Sequence, residues 1–346
     1  MQTINEDIKN GTFKPVYLLY GEEAFLKQSY KKKLRAAISG DDTMNYNYFE
    51  GKGLDVNELI SLADTMPFFS ERRLILIEDS GFFKNACPER FFDVGIAEQH
   101  AVTFAAGLAV EGMLPVFAVY STFLQRGFDQ IVHDCAIENT HVTLAVDRAG
   151  FTGEDGETHQ GIFDAAMLAS IPNTTVFSPA SAEELRLCLS EALYNTDGIA
   201  AVRYPKGGES GSVEPSVSWD WSGKRGGTLA VSYGRLSANM TAAAREASQR
   251  GEPVDWLRLV RISPIPEEAL RTSLSYKRVV FFEEGIRERF GAALLEMGYS
   301  GGFEVVGVDG QFVPAGTVAQ QLEMFGLDRA SMAARLTNLP GGNHAT

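Results

Sequence analysis

The chain has 346 residues, enough for two or three domains with buried cores. With 45% hydrophobic and 22% charged residues it has the composition of a soluble globular protein, and the absence of an 18-residue apolar run excludes a predicted membrane-spanning helix. A formal net charge of -14 argues against a general nucleic-acid or membrane-surface binder, so no direct nucleic-acid partner is expected.

The N-terminus, Met1 to Asp7, lacks the shape of a signal peptide, and Cys87, Cys135 and Cys188 have no CxxC spacing. A reducing cytoplasm and buried thiols are expected. Residues 16–20 read as a short strand, 22–38 as a helix with a solvated basic face (Lys31, Lys32, Lys33, Arg35), and 46–50 as a second strand. A helix at 56–65 and a strand at 74–77 follow. The wording of the chain then changes across Asn85–Arg90. Beyond that join, strands are predicted at 91–94, 115–119, 142–146, 174–177 and 200–203, with helices at 97–110, 122–136 and 182–193. Residues 207–227, rich in Gly, Ser and charge, read as a linker. Strands at 228–231, 254–259, 278–282 and 303–308 then alternate with helices at 238–249, 267–273, 288–297 and 318–325, before a loose tail from residue 340. This alternation predicts an α/β protein with mostly parallel, Rossmann-like sheets flanked by helices.

A strand ending at Gly21 is where a phosphate-binding loop would sit. Gly21 is followed by Glu22 and Glu23, whose carboxylates would repel phosphate, so a nucleotide site is not expected. The stretches Phe13-Lys14-Pro15-Val16-Tyr17-Leu18-Leu19-Tyr20-Gly21-Glu22-Glu23 and Leu62 to Leu74 make residues 1–87 resemble the first part of the delta subunit of the bacterial DNA polymerase III clamp loader. That resemblance implies a partial AAA+-like lobe without a working nucleotide motif. Phe68 and Phe69 fall at the hydrophobic pair that binds the sliding clamp in that family; on residue type alone, packing in a core is an equal reading.

Four later stretches carry a second resemblance. They are Phe92-Asp93-Val94-Gly95-Ile96-Ala97-Glu98-Gln99-His100, Tyr120 to Gln130, Asp147-Arg148-Ala149-Gly150, and Asp155-Gly156-Glu157-Thr158-His159-Gln160-Gly161. Together with Arg203-Tyr204-Pro205-Lys206-Gly207 they make residues 90–336 resemble the C-terminal two-thirds of the 1-deoxy-D-xylulose-5-phosphate synthases, thiamine-diphosphate enzymes of the transketolase superfamily. Read by itself, Glu98 is a charge at a helix N-terminus. The resemblance implies that it is the carboxylate that hydrogen-bonds the cofactor's aminopyrimidine, and that Phe123 and Arg126 complete the cofactor contacts. It further implies that Tyr120, Arg148 and Lys206 hold the phosphate of glyceraldehyde 3-phosphate, while Asp155 and His159 orient substrate and relay protons. Lys206 stands where the family has arginine, so the phosphate grip loses a bidentate fork.

The family's Gly-Asp-Gly…Asn motif for diphosphate and Mg²⁺ does not occur in the sequence, so no metal ligand is assigned here. The expected organisation is a clamp-loader-like segment at 1–87, a pyrimidine-binding domain lacking its first strand and helix at 88–206, the linker at 207–227, and a transketolase C-terminal domain at 228–340. Such a chain reads as a fusion. The implied partners are pyruvate and glyceraldehyde 3-phosphate, a second copy in a homodimer, and a separate chain bearing the diphosphate-binding domain.

Overall fold

The computed structural model describes residues 2–14, 17, 24–40, 42–51, 59, 61–63, 65–68, 70, 72–78, 91–207, 213–224, 227–286 and 289–337. The chain divides into two compact units, Met1–Asp93 and Val94–Thr346.

In the first unit the helices Gln2–Asn10 and Ala24–Ile38 share a small core of Ile4, Tyr30 and Leu34. Strands β1 (Tyr46–Glu50) and β2 (Leu74–Glu78) pair in parallel. The basic helix face is only partly solvated. Lys31 Nζ lies 2.5 Å from Glu78 Oε2, and the Arg35 guanidinium sits 4.2 Å from the Tyr46 ring centroid. The expected strand at 16–20 falls almost wholly outside the described residues, as does the join at 85–90; half of the expected helix at 56–65 also lies outside them, and its described residues 59 and 61–63 are helical.

The second unit holds two five-stranded sheets. One is built from β3 (Val116–Tyr120), β4 (Val142–Asp147), β5 (Thr174–Phe177) and β6 (Ile199–Arg203), all parallel, in the order β5-β6-β4-β3. Its middle strands read Val-Thr-Leu-Ala-Val and Ile-Ala-Ala-Val and are buried on both faces, as central parallel strands must be. The other sheet begins with β7 (Trp219–Ser222), β8 (Thr228–Tyr233) and β9 (Val254–Leu259). After β9 the chain crosses to the first sheet, where β10 (Arg261–Ser263) pairs antiparallel with β5. It then returns as β11 (Arg278–Ile286) and β12 (Gly302–Val308), giving the order β12-β11-β8-β9-β7 with only β7 antiparallel. One core runs through both sheets: Leu144, Val146 and Val176 belong to the same buried cluster as Leu229, Val231 and Phe281.

Three sequence expectations need correction. Residues 91–94 form no strand; Phe91 and Phe92 are about half exposed, at 47% and 48%. An apolar run becomes a strand only beside another strand, and among the described residues no strand borders this one. The helix predicted over 122–136 is four pieces, α at Ser121–Leu124 and Phe128–Gln130, 3₁₀ at Gln125–Gly127 and π at Ile131–Ala136, with Gly127 where helical geometry lapses. The linker at 207–227 contains β7, whose Trp219 and Trp221 pack on the main core. The helices Asp164–Ala169 and Arg329–Thr337 were not anticipated. No helix among the described residues is long and apolar enough to cross a membrane.

Candidate functional site

Tyr120 ends β3, Asp147 ends β4 and Arg203 ends β6. In register, Tyr120 stands opposite Asp147, and Val146 opposite Arg203. The carboxyl ends of parallel strands are where α/β folds place ligand-binding loops, because the chain must turn there into exposed connections. Arg148 follows β4 directly and Lys206 lies just past β6, so both reach the same edge.

An open cleft of about 340 Å³ lies between β3 and the start of the helix Glu98–Val110, lined among others by Gly95, Glu98, Val119, Tyr120, Phe123 and Arg126. Glu98 is the first residue of that helix, where a carboxylate is favoured by the helix dipole, and it is only 7% exposed. Its Oε1 accepts a hydrogen bond from Arg126 Nη1 at 2.8 Å. The Arg126 guanidinium also lies 4.8 Å from the Phe123 ring centroid. Phe123 stacks on Tyr120 with centroids 5.4 Å apart, and meets the His159 ring edge-on, also at 5.4 Å.

Tyr120 continues the chain of contacts. The Arg148 guanidinium lies over its ring at 3.7 Å. Arg148 adopts φ 59°, a left-handed conformation uncommon for a non-glycine residue. Asp147 supports it, accepting from the Arg148 backbone N–H at 2.6 Å and from its guanidinium. Asp155 then bridges two cations, with Oδ1 2.5 Å from Lys206 Nζ and Oδ2 3.8 Å from Arg148 Nε. Two cations thus face two carboxylates. Asp155 and His159 ride on two short 3₁₀ turns, Gly153–Asp155 and Glu157–His159. The hinge between them is Gly156, at φ 84°, ψ 176°, a region open essentially to glycine alone.

The structure therefore brings Glu98, Arg126, Phe123, His159, Tyr120, Arg148, Asp155 and Lys206 into one continuous set of contacts. Phe68, in the first unit, is 56% exposed, and its backbone is pinned by the Asn45 side chain, which accepts from its N–H at 2.7 Å and donates to its C=O at 2.8 Å. Phe69 lies outside the described residues. Residue types alone did not reveal Asp147 as the partner of Arg148, although it stands next to it in the Asp147-Arg148 motif. They also did not reveal the buried Arg203–Asp164 pair, 2.9 Å at Nε–Oδ2, which ties the end of β6 to the helix Asp164–Ala169.

A buried carboxylate beside an aromatic face suits an aminopyrimidine ring. A diphosphate with its metal is another matter: among the described residues no group of three or more His, Cys, Asp or Glu side chains could hold a metal ion.

Comparison with known proteins gives the family. The family described as the transketolase pyrimidine-binding domain matches residues 24–208, a span that begins inside the N-terminal segment. The 1-deoxy-D-xylulose-5-phosphate synthase of Halalkalibacterium halodurans is 38% identical over 271 residues, 74% of this chain and 43% of that protein. The enzyme of the same name from Syntrophus aciditrophicus is 39% identical over 299 residues, 82% of this chain and 46% of that protein. The chain spans less than half the length of these curated relatives. Among solved structures, a split-gene transketolase described as an inactive beta4 tetramer matches with a TM-score of 0.66 at 24% identity, over 86% of this chain and 92% of that one. Transketolase from Campylobacter jejuni matches with a TM-score of 0.58 at 16% identity, over 97% of this chain and 50% of that one. At such identities these two matches speak for the fold alone.

Proposed function

From the premise that this chain belongs to the transketolase pyrimidine-binding-domain family, we propose that it is the pyrimidine-side portion of a thiamine-diphosphate-dependent 1-deoxy-D-xylulose-5-phosphate synthase. The relatives bearing that name, 38% and 39% identical, support the reading. The observation that carries it is the convergence of Glu98, Phe123 and Arg126 on one cleft, continuous with Tyr120, Arg148, Asp155, His159 and Lys206.

When bound, thiamine diphosphate supplies the nucleophilic carbon and the electron sink for decarboxylating pyruvate. Glu98 would hydrogen-bond the ring nitrogen of the aminopyrimidine, and its burial would keep water from competing for it. Phe123 would pack on that ring. Arg126 holds the Glu98 carboxylate in place through one oxygen and leaves the other for the cofactor. Tyr120, Arg148 and Lys206 receive the phosphate of glyceraldehyde 3-phosphate, with Asp155 as the group that gives way. His159, edge-on to Phe123, orients substrate and moves a proton near the reacting centre. Diphosphate and Mg²⁺ are assigned to a diphosphate-binding domain outside these residues, in an assembly built on a homodimer in the cytoplasm. The solved structure described as a split-gene transketolase and an inactive beta4 tetramer shares this fold.

The test is to combine the full chain with thiamine diphosphate, Mg²⁺ and both substrates, with and without a chain bearing a diphosphate-binding domain. Product is expected only with that partner, and Glu98→Gln should then lower the rate by about 10²-fold or more. Failure to bind cofactor or form product under every condition would sink the proposal.

A second reading attaches to residues 1–87 alone, as a clamp-loader delta-like segment. The exposure of Phe68 on a backbone pinned by Asn45 favours it, since an anchor residue must be both presented and held. Capture of the sliding clamp by the native chain but not by Phe68→Ala/Phe69→Ala is expected; no capture by the native chain removes this reading.

A further inference from the structure

We infer that Arg235, Glu284 and Gln321, contributed from beyond β8, are positioning residues that set where Asp155 and His159 stand. The inference rests on the reading of those two side chains as site groups.

The loop between β4 and the helix Asp164–Ala169 is closed at its base by reciprocal bonds between Gly150 and Gly161, 2.7 and 2.8 Å long. Its outer side presents Asp155 to Lys206 and His159 to Phe123. Its inner side is held by the lobe of the other sheet at two places. The first is Glu284, 6% exposed, which is paired with Arg235, 7% exposed, at 2.8 Å from Nε to Oε1. Glu284 Oε1 also accepts from the Phe151 N–H at 3.2 Å, and Arg235 donates to the Phe151 C=O. The contact is so close that a Cβ on Gly150 would stand 2.6 Å from Glu284 Oε2. Phe151 itself is fully buried against Phe325, with ring centroids 5.4 Å apart.

The second place is Gln321, 2% exposed. Its Oε1 accepts from the Gly153 N–H at 3.0 Å, while its Nε2 donates to Gly153 O at 3.3 Å and to Pro314 O at 2.8 Å. Gly153 opens the 3₁₀ turn that carries Asp155. Gln160, from the loop, completes the bracket by donating to Gly153 O at 3.3 Å and Gly156 O at 3.0 Å. Both ends of the segment bearing Asp155 and His159 are thus fixed to buried groups, and the side chains that point outward inherit that placement. A buried polar group satisfied by one backbone segment holds it in one geometry, because any shift leaves the group without a partner.

Gln321→Met keeps the side-chain volume and removes all three of its hydrogen bonds. In the native full chain, amide hydrogen exchange at Phe151 and Gly153 is expected to be at least a hundredfold slower than in an unfolded chain. In the variant, Gly153 should exchange at least tenfold faster while β4 and β8 keep their protection. The His159 Hε1 resonance should lose the ring-current shift imposed by Phe123 and move toward its unfolded-chain position. A folded variant with an unchanged His159 resonance and unchanged Gly153 exchange overturns the inference, whatever its melting temperature. Should the variant fail to fold, the native chain decides: free-chain exchange at Phe151 and Gly153 overturns it, and protection supports it. None of these readouts needs cofactor or turnover. A chain that shows these signatures but neither binds cofactor nor forms product even with a diphosphate-binding partner keeps this inference and loses the synthase reading, and a chain active with that partner but without them does the reverse.

Discussion

Asp155 pairs with both cations proposed to receive phosphate, yet the pair with Lys206 is a quarter exposed on one side and 42% exposed on the other. Ion pairs this wet contribute only about 0.2–1 kcal/mol. Asp155→Asn is therefore expected to tighten binding of inorganic phosphate by about fivefold at most, an effect that added salt should erase, measured by calorimetry. A second residue-level expectation concerns His133, whose pKa is raised above its ordinary 6.5 by a hydrogen bond to Asp134, with the Asp134 charge adding to it. Asp134 is in turn held low, first by the hydrogen bond from Thr103 and then by His133. The sign follows: the imidazolium is favoured in the folded state, so its contribution is complete below the unfolded pKa and fades as pH rises through the folded one. Asp134→Asn should lower the His133 midpoint toward 6.5 in an NMR titration; an unmoved midpoint would contradict this assignment. Glu98, Arg148 and Asp155 were legible as residues because their motifs name them. Their partners were not, since a hydrogen bond between residues 28 apart, such as that from Arg126 to Glu98, leaves no local trace in a sequence.

Strands and helices with a strong local period were placed well by the sequence. The predicted strands at 46–50, 174–177 and 254–259 and the helix at 267–273 coincide with observed elements. Short elements whose existence depends on a partner were not. β10 is three residues long and exists because β5 offers it an edge, and β7 exists because β9 does. The same logic removed the expected strand at 91–94. Packing of these elements also buries Cys135 and Cys188, while Cys87 lies outside the described residues. Burial pushes the Cys135 thiol up to about 11, and burial, with Glu184 adding, pushes Cys188 higher still. A thiolate is the reactive form, so neither cysteine should react with Ellman's reagent at pH 8 in the native chain, and both should react once it is unfolded. Native labelling mapped to either residue would contradict that burial.

For the whole molecule, the large buried clusters lie within Val94–Thr346, and a separate small cluster built on Ile4, Tyr30 and Leu34 lies within Met1–Asp93. Residues 94–346 alone are expected to fold, with a cooperative thermal transition within a few degrees of the main one of the full chain. Loss of that transition on truncation would show that the first unit is needed for the fold of the second. The sequence expectation of a linker near 207–227 followed by a self-contained lobe meets a more connected arrangement, since β10 leaves β9 to pair with β5 and the largest core spans both sheets.

By itself the sequence determined the α/β class, most element positions and the set of residues proposed for the site. These depend on local periodicity and on motifs whose residue types answer to one chemistry. Only the tertiary structure decided that those residues touch, that Asp155 already occupies the cations, and that the loop bearing Asp155 and His159 is held by Arg235, Glu284 and Gln321 from the far lobe. The physical reason is separation along the chain. Gln321 and Gly153 are 168 residues apart, and only a packed core that excludes water makes their hydrogen bond worth keeping.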